Sequence, residues 1–83
     1  MDIREQILDV IEMILQDGNI RSAVDINDDL AYLGINSINY VKIVIELEDE
    51  LDIEFEDDKI DFSQFPTFTD LCTYVEKLVR END

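Results

Sequence analysis

Apolar residues return at helical spacing in three separate stretches of the chain, and each stretch opens beside a residue suited to cap a helix. In the first, Ile3, Ile7, Val10, Ile11 and Ile14 recur with the 3.6-residue period and predict a helix with one apolar face. Asp2 and Glu5, three residues apart, form a capping-box pattern at its start, and Gly18 is expected to end it. From about Asp17 to Asn36 the periodicity dissolves into Asn, Asp, Ser and Gly with scattered apolar residues. This predicts a long connection, and long ordered loops tend to be functional. Leu30 and Leu33 are its expected anchors, drawn into the core by a short turn starting near Asp28.

The second periodic stretch predicts a helix from about Ser37 to Glu50, with Asn36 as a favourable N-cap. Ile38, Val41, Val44, Ile45 and Leu47 are read as its buried stripe, with Asn39, Lys42, Glu46 and Asp49 opposite. Leu51, Ile53 and Phe55 then alternate with Asp52 and Glu54, the period of an extended segment. A short third helix is expected over Asp57 to Phe62, before Phe65-Pro66 interrupts the chain. Thr67 and Asp70 make a second capping box, followed by the apolar positions Leu71, Val75, Leu78 and Val79. Lys77 and Arg80 fall in the last turns, where cations suit the negative end of the helix dipole. The expectation is an all-α, four-helix bundle spanning 1–83 as one domain, with three principal helices, a short third helix and a long first loop.

Composition narrows what such a bundle can do. The 22 acidic and 6 basic residues leave a net charge of −16. That much like charge favours a soluble monomer. It argues against nucleic acid, whose phosphates demand Lys and Arg, and points to basic protein partners. No apolar run approaches a membrane span, and Met1 to Glu5 lacks the basic start of a signal peptide. One cysteine, Cys72, excludes an internal disulfide and fits a reducing cytoplasm; its expected role is a small buried hydrophobe. Histidine is absent, which removes the commonest general base and metal ligand, so an autonomous enzyme is not expected. Asp25, Asn27 and Asp29 imitate the start of a Ca²⁺ loop. Leu30 in its sixth position and Asn36 in its twelfth defeat that reading, so no metal site is expected.

The candidate chemistry lies in Leu33-Gly34-Ile35-Asn36-Ser37-Ile38. Gly34 permits the positive φ that a presenting loop needs. With Asn36 placed to cap the helix, the Ser37 hydroxyl is left spare. A phosphate ester there would be favoured by the helix dipole and the unpaired N–H groups.

In this order, with Asp29-Leu30 before it and the acidic run Glu46 to Asp52 after it, the motif resembles the attachment site of acyl and peptidyl carrier proteins. The resemblance covers nearly the whole chain. It implies a free-standing, non-catalytic carrier whose Ser37 bears 4'-phosphopantetheine, covalently attached from coenzyme A. Gly34, Ile35, Asn36 and Ile38 would flank that serine in the surface read by a phosphopantetheinyl transferase. Asn39, Lys42, Ile43, Glu46 and Asp49 would meet an acyl- or aminoacyl-loading enzyme and downstream biosynthetic enzymes. The family most often has Asp before the serine, where this chain has Asn36, which keeps the capping role and drops a charge. Fatty-acid carriers usually follow the serine with acidic residues, where this chain has Asn39, Tyr40 and Lys42. That difference leans towards peptide or specialised-metabolite assembly. The alternative is an unmodified acidic docking or regulatory adaptor of the same fold.

Overall fold

A computed structural model describes residues 2–81, with Phe62 described in its backbone alone. Four α-helices are present among the described residues: α1 (Ile3–Leu15), α2 (Ile20–Ile26), α3 (Ser37–Leu51) and α4 (Phe68–Glu81). The expected all-α architecture is therefore found. Its fourth helix is placed differently.

Helix α1 starts as its sequence dictates, with the Asp2 carboxylate accepting the Glu5 backbone N–H at 3.4 Å. Ile7, Leu8, Val10 and Ile11 are its buried face. It stops at Leu15, before Gly18, because Gln16 turns into the left-handed region at φ 54° and donates its N–H to the Glu12 carbonyl.

The stretch read as one long loop contains α2. This seven-residue helix has no side-chain cap from Asn19 and buries only Ile20 and Val24. What fixes it lies elsewhere in the chain. Arg21 reaches across to α1, pairing with Asp9 at 2.6 Å, with Glu5 at 3.6 Å and with Glu12. Its guanidinium pKa is raised, chiefly by the hydrogen bond to Asp9.

The loop beyond α2 is sewn to the start of α4. The Leu30 N–H donates to the Pro66 carbonyl at 3.0 Å, and the Phe68 N–H to the Asp28 carbonyl at 2.7 Å. The Asp28 carboxylate accepts the Thr69 hydroxyl at 2.6 Å, and this bond leads the causes that hold its pKa below the usual carboxylate value. Leu30 and Leu33 are buried, as their role as anchors requires. Thr67 caps α4 through the Asp70 N–H at 3.1 Å.

Between α3 and α4, Ile53 and Phe55 are buried while Glu54 and Glu56 face solvent, the alternation expected of an extended segment. Leu51 instead belongs to α3, which ends where Asp52 adopts φ 54°. The short helix expected over Asp57 to Phe62 is replaced by two 3₁₀ turns, Asp57–Lys59 and Phe62–Gln64. One hydrophobic core draws on all four α-helices, the loop and this segment.

Candidate functional site

The loop before α3 is built to hold Ser37 outward. A tight turn closes with Leu33 N–H to Asp29 O at 3.2 Å, Gly34 N–H to Ala31 O at 3.1 Å and Ile35 N–H to Leu30 O at 3.1 Å. Gly34 sits at φ +88°, where a side chain is strained, although a Cβ there would meet nothing within 4 Å. Glycine is needed for its backbone angle and not for space. On either side of it, Leu33 and Ile35 are 4% exposed and fasten the turn to the core.

Asn36 is extended, with φ −118° and ψ 179°, and its side-chain oxygen accepts the Asn39 N–H at 2.8 Å. Its own carbonyl accepts the Tyr40 N–H at 2.8 Å. The cap is thereby complete without Ser37. Ser37 is the first helical residue and is exposed, and its hydroxyl has no hydrogen-bond partner among the described residues. Its N–H and that of Ile38 open the helix with no intrahelical acceptor. An anionic group on Ser37 would find these donors and the positive end of the α3 dipole. The residues present thus fit a phosphoester on this oxygen.

The other two serines differ. Ser63 donates its hydroxyl to Asp61 at 3.0 Å, in a turn closed by the same carboxylate. Ser22 is the third residue of the seven-residue α2, behind its first position, and follows no glycine turn of positive φ.

The structure divides the predicted flanking and partner residues. Gly34, Asn36, Ile38, Lys42 and Asp49 are exposed, and Asn39 and Glu46 are partly so. Ile35 and Ile43 are not surface residues: at 4% and 0% exposure both belong to the core. Of the expected buried stripe of α3, Val44 and Leu47 are buried, and Ile38, Val41 and Ile45 are not. Tyr40, Ile43, Val44 and Leu47 are the buried face, while Ile38, Val41 and Ile45 are 69%, 40% and 59% exposed.

Val41 and Ile45 are thus surface residues that sequence reasoning placed inside. The signal was present in the spacing. Tyr40, Ile43, Val44 and Leu47 fill i, i+3, i+4 and i+7, whereas Ile38, Val41 and Ile45 leave the i+4 position to Lys42.

Ser37 therefore heads a mostly apolar exposed strip. At 1.5 Å rise per residue, Glu46 and Asp49 lie about 13 and 18 Å along the axis from Ser37. Both are beyond a Debye length of about 10 Å at 0.1 M salt. Cys72, the chain's own thiol, is 6% exposed in α4, and burial pushes its pKa up to about 12, so it is held protonated.

No helix among the described residues is long and apolar enough to cross a membrane. Comparison with curated proteins and with solved structures returned no match. The family described as phosphopantetheine attachment site matches residues 3–75. Its members bear 4'-phosphopantetheine covalently on a serine and serve as substrates of other enzymes, not as catalysts. With the match spanning α1 to most of α4 and a presented serine at its centre, the chain belongs to this family of phosphopantetheine-bearing carriers.

Proposed function

We propose that Ser37 is the attachment point, and that the chain is a carrier of acyl, aminoacyl or peptidyl groups in peptide or specialised-metabolite assembly. The observation that carries the assignment is the division of labour at the α3 start. Asn36 satisfies the helix end, so the exposed Ser37 oxygen is uncommitted. In the loading step the hydroxyl proton passes to a base of the transferase. The Ser37 oxygen then bonds to the pantetheine-bearing phosphorus of coenzyme A, and the bond from that phosphorus to 3',5'-ADP breaks. When bound, the group supplies a flexible thiol-ended arm on which acyl groups travel as thioesters.

The chain's own residues supply presentation and recognition. Ile38, Val41 and Ile45 offer a partner an apolar strip beside the loaded serine. Asn39 and Lys42 lie along it, with Glu46 and Asp49 further down the helix. That distribution supports partners that read shape and apolar contact close to the arm, and so supports the lean away from fatty-acid synthesis. The protein acts as a cytoplasmic monomer in this reading, its acidity keeping copies apart.

Incubation with a phosphopantetheinyl transferase and coenzyme A should add the mass of one phosphopantetheine group to the wild-type chain and none to Ser37→Ala. A full mass gain on Ser37→Ala would move the site elsewhere. No gain on the wild type would leave the unmodified acidic adaptor.

A further inference from the structure

The strongest unexplained feature lies under the first turn of α3. Tyr40, one turn beyond Ser37, has a fully buried side chain and donates its hydroxyl to the Lys59 carbonyl at 2.9 Å. Lys59 lies in the segment from Ile53 to Ile60, which has no sheet partner to hold it. Side chains of α3 and α4 hold it instead. The Glu48 carboxylate accepts the Phe55 N–H at 2.8 Å, and the Tyr74 hydroxyl accepts the Glu56 N–H at 3.1 Å. Phe55 meets Tyr74 edge-on and Phe65 meets it tilted, each with ring centroids 5.1 Å apart. The Lys59 ammonium lies 6.0 Å from the centre of the Phe65 ring. Buried rings of Tyr40, Phe55, Phe65 and Tyr74 thus lie between α3, α4 and this strap, and the two tyrosine hydroxyls are tied to its backbone.

We propose that Tyr40 is a specificity-determining residue that seals the interior beneath Ser37, so that a cargo on the Ser37 arm stays in solvent and alkyl chains gain no shelter. The proposal rests on Ser37 being the attachment point. An apolar chain tethered beside α3 gains free energy for each methylene it hides from water, provided the interior has room. Entry here requires the Tyr40 ring to leave a close-packed site and the Lys59 carbonyl to lose its donor, and both oppose it. Burial also raises the Tyr40 phenol above its ordinary pKa, so the donor proton stays in place beyond the pH at which a free phenol would lose it. The favoured cargo is short or polar, such as an aminoacyl group, because it loses little by remaining in water.

The test loads the wild-type chain from acetyl-, hexanoyl- and lauroyl-coenzyme A with a phosphopantetheinyl transferase, and mass spectrometry first confirms the modification of Ser37. Failure to load refutes the attachment assignment, a result distinguishable from failure of the seal. On the loaded proteins, the melting temperature and the rate of thioester cleavage by hydroxylamine are measured. Both should be independent of chain length in the wild type. A lauroyl form that melts higher and is cleaved several-fold more slowly than the acetyl form would overturn the seal. Tyr40→Ala should acquire that length dependence, and Tyr40→Leu, which keeps an apolar side chain, replaces it if the alanine variant does not fold. A folded variant that stays independent of length removes Tyr40 from the role.

Discussion

Replacing the two neighbours at the start of α3 separates holding the helix from carrying the group. Asn36→Ala removes the acceptor of the Asn39 N–H, a 2.8 Å bond, and leaves that donor to water. Loss of an N-cap costs about 1 kcal/mol, which lowers the melting temperature of a domain this size by roughly 4–8 °C. Ser37→Ala removes a hydroxyl that is exposed and unpartnered among the described residues. Its effect on stability should stay within about 0.5 kcal/mol, the usual range for a surface substitution. Thermal melts followed by far-UV circular dichroism should therefore show a clear fall for Asn36→Ala and little change for Ser37→Ala. Mass spectrometry after transferase treatment should show the reverse, with the arm gained by Asn36→Ala and absent from Ser37→Ala. A third variant, Asn36→Asp, keeps the acceptor and adds charge at the positive end of the dipole, worth about 0.3–1 kcal/mol at low salt. It should melt no lower than the wild type. If Ser37→Ala fell as far as Asn36→Ala, the serine hydroxyl would be part of the cap and could not be counted as spare.

Two further outcomes concern charged contacts far from Ser37. Arg21→Ala should lower the melting temperature and speed amide exchange across α2. The gap to wild type should narrow in 1 M salt, where screening acts within about 3 Å, because the pairs with Glu5 and Asp9 are open to solvent; a gap indifferent to salt would assign Arg21 a packing role. Asp28 is held below its ordinary pKa by the Thr69 hydroxyl, so its contribution is complete above the ordinary carboxylate value and is lost as pH falls through the depressed one. Asp28→Ala should thus melt below the wild type at neutral pH and converge with it in strong acid, in melts recorded from pH 7 to about 2, below the ordinary Asp value of about 3.9; a constant gap would refute the assignment.

What the sequence made legible was local chemistry. At Asp2, Asn36 and Thr67 the cap side chain accepts the N–H three residues on, as predicted, while the return bonds from Glu5 and Asp70 that would complete the two capping boxes do not form among the described residues. The Ser37 loop was legible for the same reason, since Gly34, Asn36 and Ser37 act on their own backbone. Helix α2 was not. Seven residues with two buried side chains carry little periodic signal, and the contact that fixes them joins Arg21 to residues 9 to 16 positions earlier. The segment from Ile53 to Lys59 shows the same division. Its alternation was readable, but its attachment through Tyr40, Glu48 and Tyr74 depends on partners 7 to 19 residues away.

The proposed function gives a reason for the misplacement of Ile38, Val41 and Ile45 in α3. A helix with one apolar face announces its orientation, but α3 carries two, and the spacing separates them by a single position, the i+4 place held by Val44 in one set and Lys42 in the other. Packing decides it. Tyr40, Ile43, Val44 and Leu47 present four contiguous positions to the core, and Tyr40 finds in the Lys59 carbonyl the acceptor that a buried hydroxyl needs. Ile38, Val41 and Ile45 are then left in water, where folding alone gives no reason for three branched apolar side chains in a chain of net charge −16. Single exposed hydrophobes are ordinary, whereas a strip of them marks a surface that meets another protein. The misread positions are thus the ones that the proposed partners would cover, and the strip begins at the residue following Ser37. Under the proposed function, the ambiguous patterning of this helix comes from one segment serving two apolar environments, its own core and a visiting enzyme.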